Sequence, residues 1–233
     1  SMSIRPLIGM VQALERPGRL SASCISPISC RWGMWSGVMC RKTALAHSGN
    51  RNMQQAKSEL AEAVKLNPKW EEPRLLLAEI NLREGNPDLA IDELGKVLKD
   101  NPRNIQAHVL TGNAYLVKRN LPEAVKVFES LIKIAPNHPV GYTQTGRILL
   151  FQKKEKEALE RFEKALSVQP NVVEPLQAIV SVYMGRKETR KAQERVEQQI
   201  KAAPNSPFFH TLLGGVQEAN KDIANAEASL KKA

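Results

Sequence analysis

The sequence predicts an all-α protein, a solenoid of antiparallel helix hairpins. Three observations carry the prediction. Prolines recur at Pro68, Pro102, Pro136, Pro170 and Pro204, each 34 residues from the next. Alanines recur on the same step at Ala56, Ala90, Ala124, Ala158, Ala192 and Ala226. Between these markers the apolar residues fall three and four apart, the spacing of a helical face, and two such faces occur per period. A lone hairpin cannot bury its apolar stripe, whereas stacked hairpins bury a continuous core.

Each position of the period has a physical reason. Four residues after each alanine stands a larger apolar residue: Leu60, Leu94, Phe128, Phe162, Val196 and Leu230. Three further on come Ala63, Val97, Leu131 and Ala165, and then Gln199, where the pattern slips and Ile200 takes the apolar role. Twelve before each alanine sits a residue that is mostly small: Ala44, Ala78, Gly112, Gly146, Val180 and Gly214. Small residues there let two helix backbones approach. Proline just past the second helix cannot continue it and turns the chain.

Taken in order, residues 1–36 stand apart. They are rich in Ser, Arg, Pro and Gly, and show no period. We expect a poorly ordered or targeting-like extension, with Ser1-Met2 resembling a cleavage scar ahead of a start methionine. A first helix is expected at 37–49 and its partner within 50–70. Full repeats follow at 71–104, 105–138, 139–172 and 173–206, and 207–233 begins a fifth. Because the chain stops at Ala233 inside a helical pattern, it reads as a fragment, or as an end that another chain covers. The open last repeat offers a surface for self-association.

Composition bounds the function classes. The 233 residues are 42% hydrophobic and only 5% aromatic, so the core is aliphatic. The net charge is +10. Six Arg/Lys against one acid in residues 1–47 give half of it, and the other 186 residues hold 28 bases and 23 acids. The repeat array is thus only mildly basic, and nucleic acid ranks below a protein partner. No stretch is long and apolar enough to span a bilayer. Cys24, Cys30 and Cys40 all lie within the first 47 residues and have no zinc-pair spacing.

The same residues resemble the tetratricopeptide repeat family, whose 34-residue signature is Trp-x2-Leu-Gly-x2-Tyr, Ala-x3-Phe and Pro. Residues 105–138 match best, through Gly112, Tyr115, Ala124, Phe128 and Pro136. The leading Trp is absent, and His108, Tyr142, Leu176 and His210 stand in its place. The resemblance covers about residues 50–233. It implies a right-handed superhelix whose first helices line a concave groove. The implied groove residues are Leu75, Glu79, Leu82, Val109, Asn113, Leu116, Thr143, Gln144, Arg147, Leu150, Phe151, Gln177, Ser181 and Met184. Family members that clamp a terminal carboxylate use Lys, Asn, Asn, Lys and Arg. The matching places here hold Val109, Asn113, Gln144, Glu174 and Ala178, so that clamp is not expected.

No nucleophile elbow, phosphate loop, dinucleotide fingerprint or zinc-protease motif occurs, so neither a catalytic residue, a metal nor a cofactor is assigned. His108 and His210 share one lattice position, which points to packing rather than ligation. Glu71 and Glu72 complement a helix dipole. The expected function is a non-catalytic scaffold that docks a partner peptide or helix in the groove. A second reading uses Arg119, Lys153, Lys187 and Lys221, with Arg51, as a basic ridge on the inter-helix turns for RNA or another anionic polymer. A third, from composition, is a bacterial envelope lipoprotein that assists polysaccharide or protein export. Against it, Ser21 stands where a lipobox before Cys24 needs an aliphatic residue. The compartment stays open among cytoplasm, envelope and mitochondrion.

Overall fold

The computed structural model describes residues 53–233. The extension 1–36, the expected helix at 37–49, the three cysteines, His47 and Arg51 lie outside them. Among the described residues there are eleven helices and no strand. They are α1 (Met53–Leu66), α2 (Glu71–Arg83), α3 (Pro87–Asp100), α4 (Ile105–Val117), α5 (Leu121–Ile134) and α6 (Pro139–Phe151). Then follow α7 (Glu155–Val168), α8 (Val173–Gly185), α9 (Thr189–Ala202), α10 (Pro207–Ala219) and α11 (Ile223–Leu230). Pairs α2/α3, α4/α5, α6/α7, α8/α9 and α10/α11 form hairpins, and the second helix of each packs on the first helix of the next. First helices also touch first helices (α2 with α4, α6 with α8, α8 with α10), so they form one layer. The result is an all-α helical-repeat solenoid.

The hairpins close through complementary volumes. Ala78 faces the Leu94 cluster, Gly112 meets Phe128, Gly146 meets Phe162, Val180 shares a core with Val196, and Gly214 meets Leu230. A methyl group added at Gly112 would overlap the Phe128 ring, and one at Gly146 would lie 2.7 Å from Phe162. Where the second helix carries a ring, the first helix gives up its side chain. The alanines of the lattice are 0–4% exposed throughout, because a larger residue would separate the helices.

The place of the missing Trp has its own chemistry. The Arg74 guanidinium donates to the Pro68 carbonyl from Nη2 at 3.1 Å and from Nε at 3.2 Å. His108 Nε2 reaches the Pro102 carbonyl at 2.9 Å, and His210 Nε2 reaches that of Pro204 at 3.3 Å. A proton on Nε2 makes each a donor. Leu176 cannot donate, and the Gln199 amide supplies the bond to the Pro170 carbonyl instead. The slip to Gln199 is therefore a hydrogen-bond replacement. Each histidine thus ties its helix to the turn just before it.

Arg74 also donates from Nη1 to Glu93 at 2.6 Å, and Lys96 bonds the same carboxylate at 2.6 Å. Burial pushes the Glu93 carboxyl up, but the hydrogen bonds and charges of Lys96 and Arg74 together hold it below its ordinary value. A depressed folded value stabilises the fold above the usual carboxylate range, and that contribution is lost as pH falls through the lowered value. Glu93→Gln is expected to cost about 1 kcal/mol at neutral pH, as the pair is partly solvated. The cost should vanish in acid, which urea unfolding at the two pH values will measure. A cost independent of pH would show that the charge is idle.

Candidate functional site

The first-helix layer is where the sequence places a groove. Its residues divide by burial. Leu75, Thr143 and Gln144 are buried at 3%, 2% and 8% exposure. Leu75 belongs to a core cluster with Ala78 and Leu94. The Thr143 hydroxyl donates to the Pro139 carbonyl at 2.9 Å, one turn back along its own helix. Gln144 accepts from Arg147 Nη1 at 3.4 Å. These three groups are committed to the fold and offer little side chain to a partner. Thr143 and Gln144 are among the residues that the family resemblance implies for the groove.

Glu79 is half-buried and accepts from the Gln106 amide at 3.0 Å, which ties α2 to α4. Leu82, Val109, Asn113 and Leu116 are half-buried. Leu150 and Met184 are half-buried and pack on the largest core cluster. Gln177, Ser181 and Arg147 are exposed. Phe151 is 77% exposed, the barest large apolar side chain among the described residues. Val117, 51% exposed, stands one period earlier. Sequence reasoning overlooks Val117, although the 34-residue step from Phe151 points to it.

Val117 and Phe151 are thus exposed apolar residues at the last positions of α4 and α6, one period apart. Arg147 lies one turn before Phe151 on the same helix and has no ion pair among the described residues. Of the family's clamp positions, Asn113 alone carries the matching amide. Glu174 is exposed with the opposite sign, and Ala178 is half-buried.

The turns between the helices of each hairpin place the cation lattice. Arg119, Lys153, Lys187 and Lys221 have φ of 58°, 62°, 60° and 63°, and Gly85 has 77°. These are left-handed helix-ending residues. In the second hairpin the Arg119 amide donates to Leu116 and that of Asn120 to Tyr115, and the other four turns repeat this pair. The 34-residue cation row is thus also a row of one backbone conformation, and Gly85 is its most relaxed member. Two flanking cations are neutralised between hairpins: Lys118 pairs with Asp88 at 2.5 Å and Arg186 with Glu155 at 2.5 Å. Asp88 raises the Lys118 ammonium value by hydrogen bond and charge, and Glu155 does the same for Arg186.

His138 is the cap of α6, its Nδ1 accepting from Val140 at 3.4 Å. Glu71 at the start of α2 accepts from Asn101 at 3.1 Å and Asn104 at 2.6 Å. Neither is left over for chemistry. Among the described residues no cluster of His, Cys, Asp and Glu has a metal-binding arrangement, and no helix is long and apolar enough to cross a membrane.

Sequence models of the tetratricopeptide repeat match residues 41–97, 75–139 and 141–172. The chain belongs to the tetratricopeptide repeat family. Proteins of this family mediate protein–protein interactions by binding protein or peptide partners, and their scaffolds are typically non-catalytic. Comparison with curated proteins finds no match. Among solved structures, yeast Tom70 is similar at a TM-score of 0.70 and 17% identity, over 84% of this chain and 43% of Tom70. Pseudomonas aeruginosa pilF is similar at 0.61 and 20% identity, over 83% of this chain and 88% of that one. A thermophilic repeat protein of Thermus thermophilus is similar at 0.55 and 18% identity, over 78% of this chain and 95% of that one. At such identities the likeness establishes the fold alone.

Proposed function

We propose that this tetratricopeptide repeat chain is a non-catalytic scaffold that docks a partner segment in the groove of its first helices. The observation that carries the reading is the exposed pair Phe151 and Val117 beside Arg147, which has no ion pair among the described residues. A bare aromatic ring is a large apolar surface held at low entropic cost, the kind of anchor that dominates interfaces. Arg147 suits a carboxylate on the same segment. Asn113 supplies an amide for a peptide backbone. Such a partner is a helix or extended stretch with apolar anchors and one acid.

The test is capture of partners from lysate by residues 50–233, compared with Phe151→Asp combined with Arg147→Glu. Phe151 suits this better than Leu150, because Leu150 packs on the core and its loss would disturb folding. Helicity and melting temperature are expected to be unchanged, while a partner identified by mass spectrometry weakens about 30-fold or more, the scale of a lost hot spot. A partner retained at full strength by the folded double variant would remove the groove from consideration.

A further inference from the structure

A second surface lies on the turn edge. At each turn the residue in the left-handed conformation brings its Cβ against the following carbonyl, and glycine escapes this strain. Gly85 occupies the first such place, yet the other four hairpins put Arg119, Lys153, Lys187 and Lys221 there. A cation near a helix C-terminus gains from the dipole, but an exposed one gains less than the backbone strain costs. All four are exposed and none has an ion pair among the described residues, whereas their neighbours Lys118 and Arg186 are paired. Charge is thus repeated in four successive hairpins, against the backbone's preference, and has no ion-pair partner among the described residues.

We propose that this row is a docking surface for an acidic, extended segment of another protein, one carboxylate meeting one cation per hairpin. Packed helices lie about 8–10 Å apart. A segment in the extended polyproline II conformation advances about 3.1 Å per residue with three residues per turn, so every third side chain returns to the same face and meets the next cation. Two features favour a protein segment over a nucleic acid. Asp88, Glu155, Glu157 and Asp222 interrupt the edge, so a polymer charged at every unit would press phosphates against carboxylates. Val117 and Phe151 stand two residues before Arg119 and Lys153, which places exposed apolar side chains beside two of the cations. This surface shares Val117 and Phe151 with the groove reading, but its test leaves both residues and Arg147 unchanged, so failure of one reading is distinguishable from failure of the other.

The experiment measures fluorescence anisotropy of a labelled peptide of repeated Glu-Val-Ser units at physiological ionic strength. The controls are its Gln-Val-Ser counterpart and a single-stranded RNA of equal length. The parent is compared with the variant carrying Arg119→Gly, Lys153→Gly, Lys187→Gly and Lys221→Gly. The parent is expected to bind the Glu peptide at least about tenfold tighter than the Gln peptide. The variant should lose about tenfold or more, the scale of several exposed ion pairs. Its melting temperature should be no lower than the parent's, so the loss cannot be unfolding. Absent or unaltered binding of the Glu peptide overturns the proposal. Stronger RNA binding that falls with the four changes transfers the surface to nucleic acid. A lower melting temperature shows that the cations serve the helix ends, and overturns it too.

Discussion

Phe128→Ala is expected to remove about 3–5 kcal/mol of stability, the range for deleting a fully buried ring. Phe128 is 0% exposed and clusters with Ala124, Leu131 and Ile148, so the cavity would open between two hairpins. The converse change, Gly112→Ala, drives a methyl group into the same ring and is expected to cost about 1–3 kcal/mol by overpacking. The two positions should be strongly coupled. Gly112→Ala combined with Phe128→Leu is expected to recover much of the loss, since Ala78 and Leu94 already serve the first hairpin that way. Urea unfolding followed by circular dichroism measures these three proteins and Phe128→Leu alone. Strictly additive losses would show that the lattice pairs are not complementary volumes.

Gln199→Leu is expected to cost about 2 kcal/mol, even though it restores the apolar residue that the period calls for. Gln199 is 4% exposed. Its amide donates to the Pro170 carbonyl, and its Oε1 accepts from Arg195 Nη1 at 2.9 Å. Leucine would strand the carbonyl and one guanidinium nitrogen. Arg195 would keep its bonds to Glu163, at 2.7 and 2.8 Å, and these limit the damage. His108→Leu, by the same logic, should cost less, because only one bond, to the Pro102 carbonyl, is lost. A neutral or stabilising Gln199→Leu in thermal denaturation would mean that this position is ordinary core.

Both expectations turn on what a periodic sequence reveals. The proline and alanine lattice marks a 34-residue step, and α4 and α8 begin two such steps apart, at Ile105 and Val173. Side-chain volume is legible too, because a small residue on one helix and a large one on its partner recur at constant separation. Exposure within the groove is less legible. Thr143 and Phe151 are a polar and an apolar residue, yet the first is 2% and the second 77% exposed. Neighbouring hairpins decide this, since Thr143 lies under helix packing and satisfies its hydroxyl on its own helix. Phe151 projects beyond the end of the contact.

The sequence by itself determined the repeat length, the all-α hairpin architecture and the pairing of small with large residues along the lattice. These follow from local periodicity and from residue identity, which need no knowledge of neighbours. Tertiary structure alone decided which donor serves each proline carbonyl, which cations are paired between hairpins, and that the row from Arg119 to Lys221 is a row of left-handed backbone. The ion pairs between hairpins and the Gln199 bond to Pro170 link residues about one period apart, so their partners depend on how hairpins stack. The Gly85 interruption in the cation row is intelligible only with the backbone angle in hand. The charge pattern and the turn geometry share one position, and only the fold separates their causes.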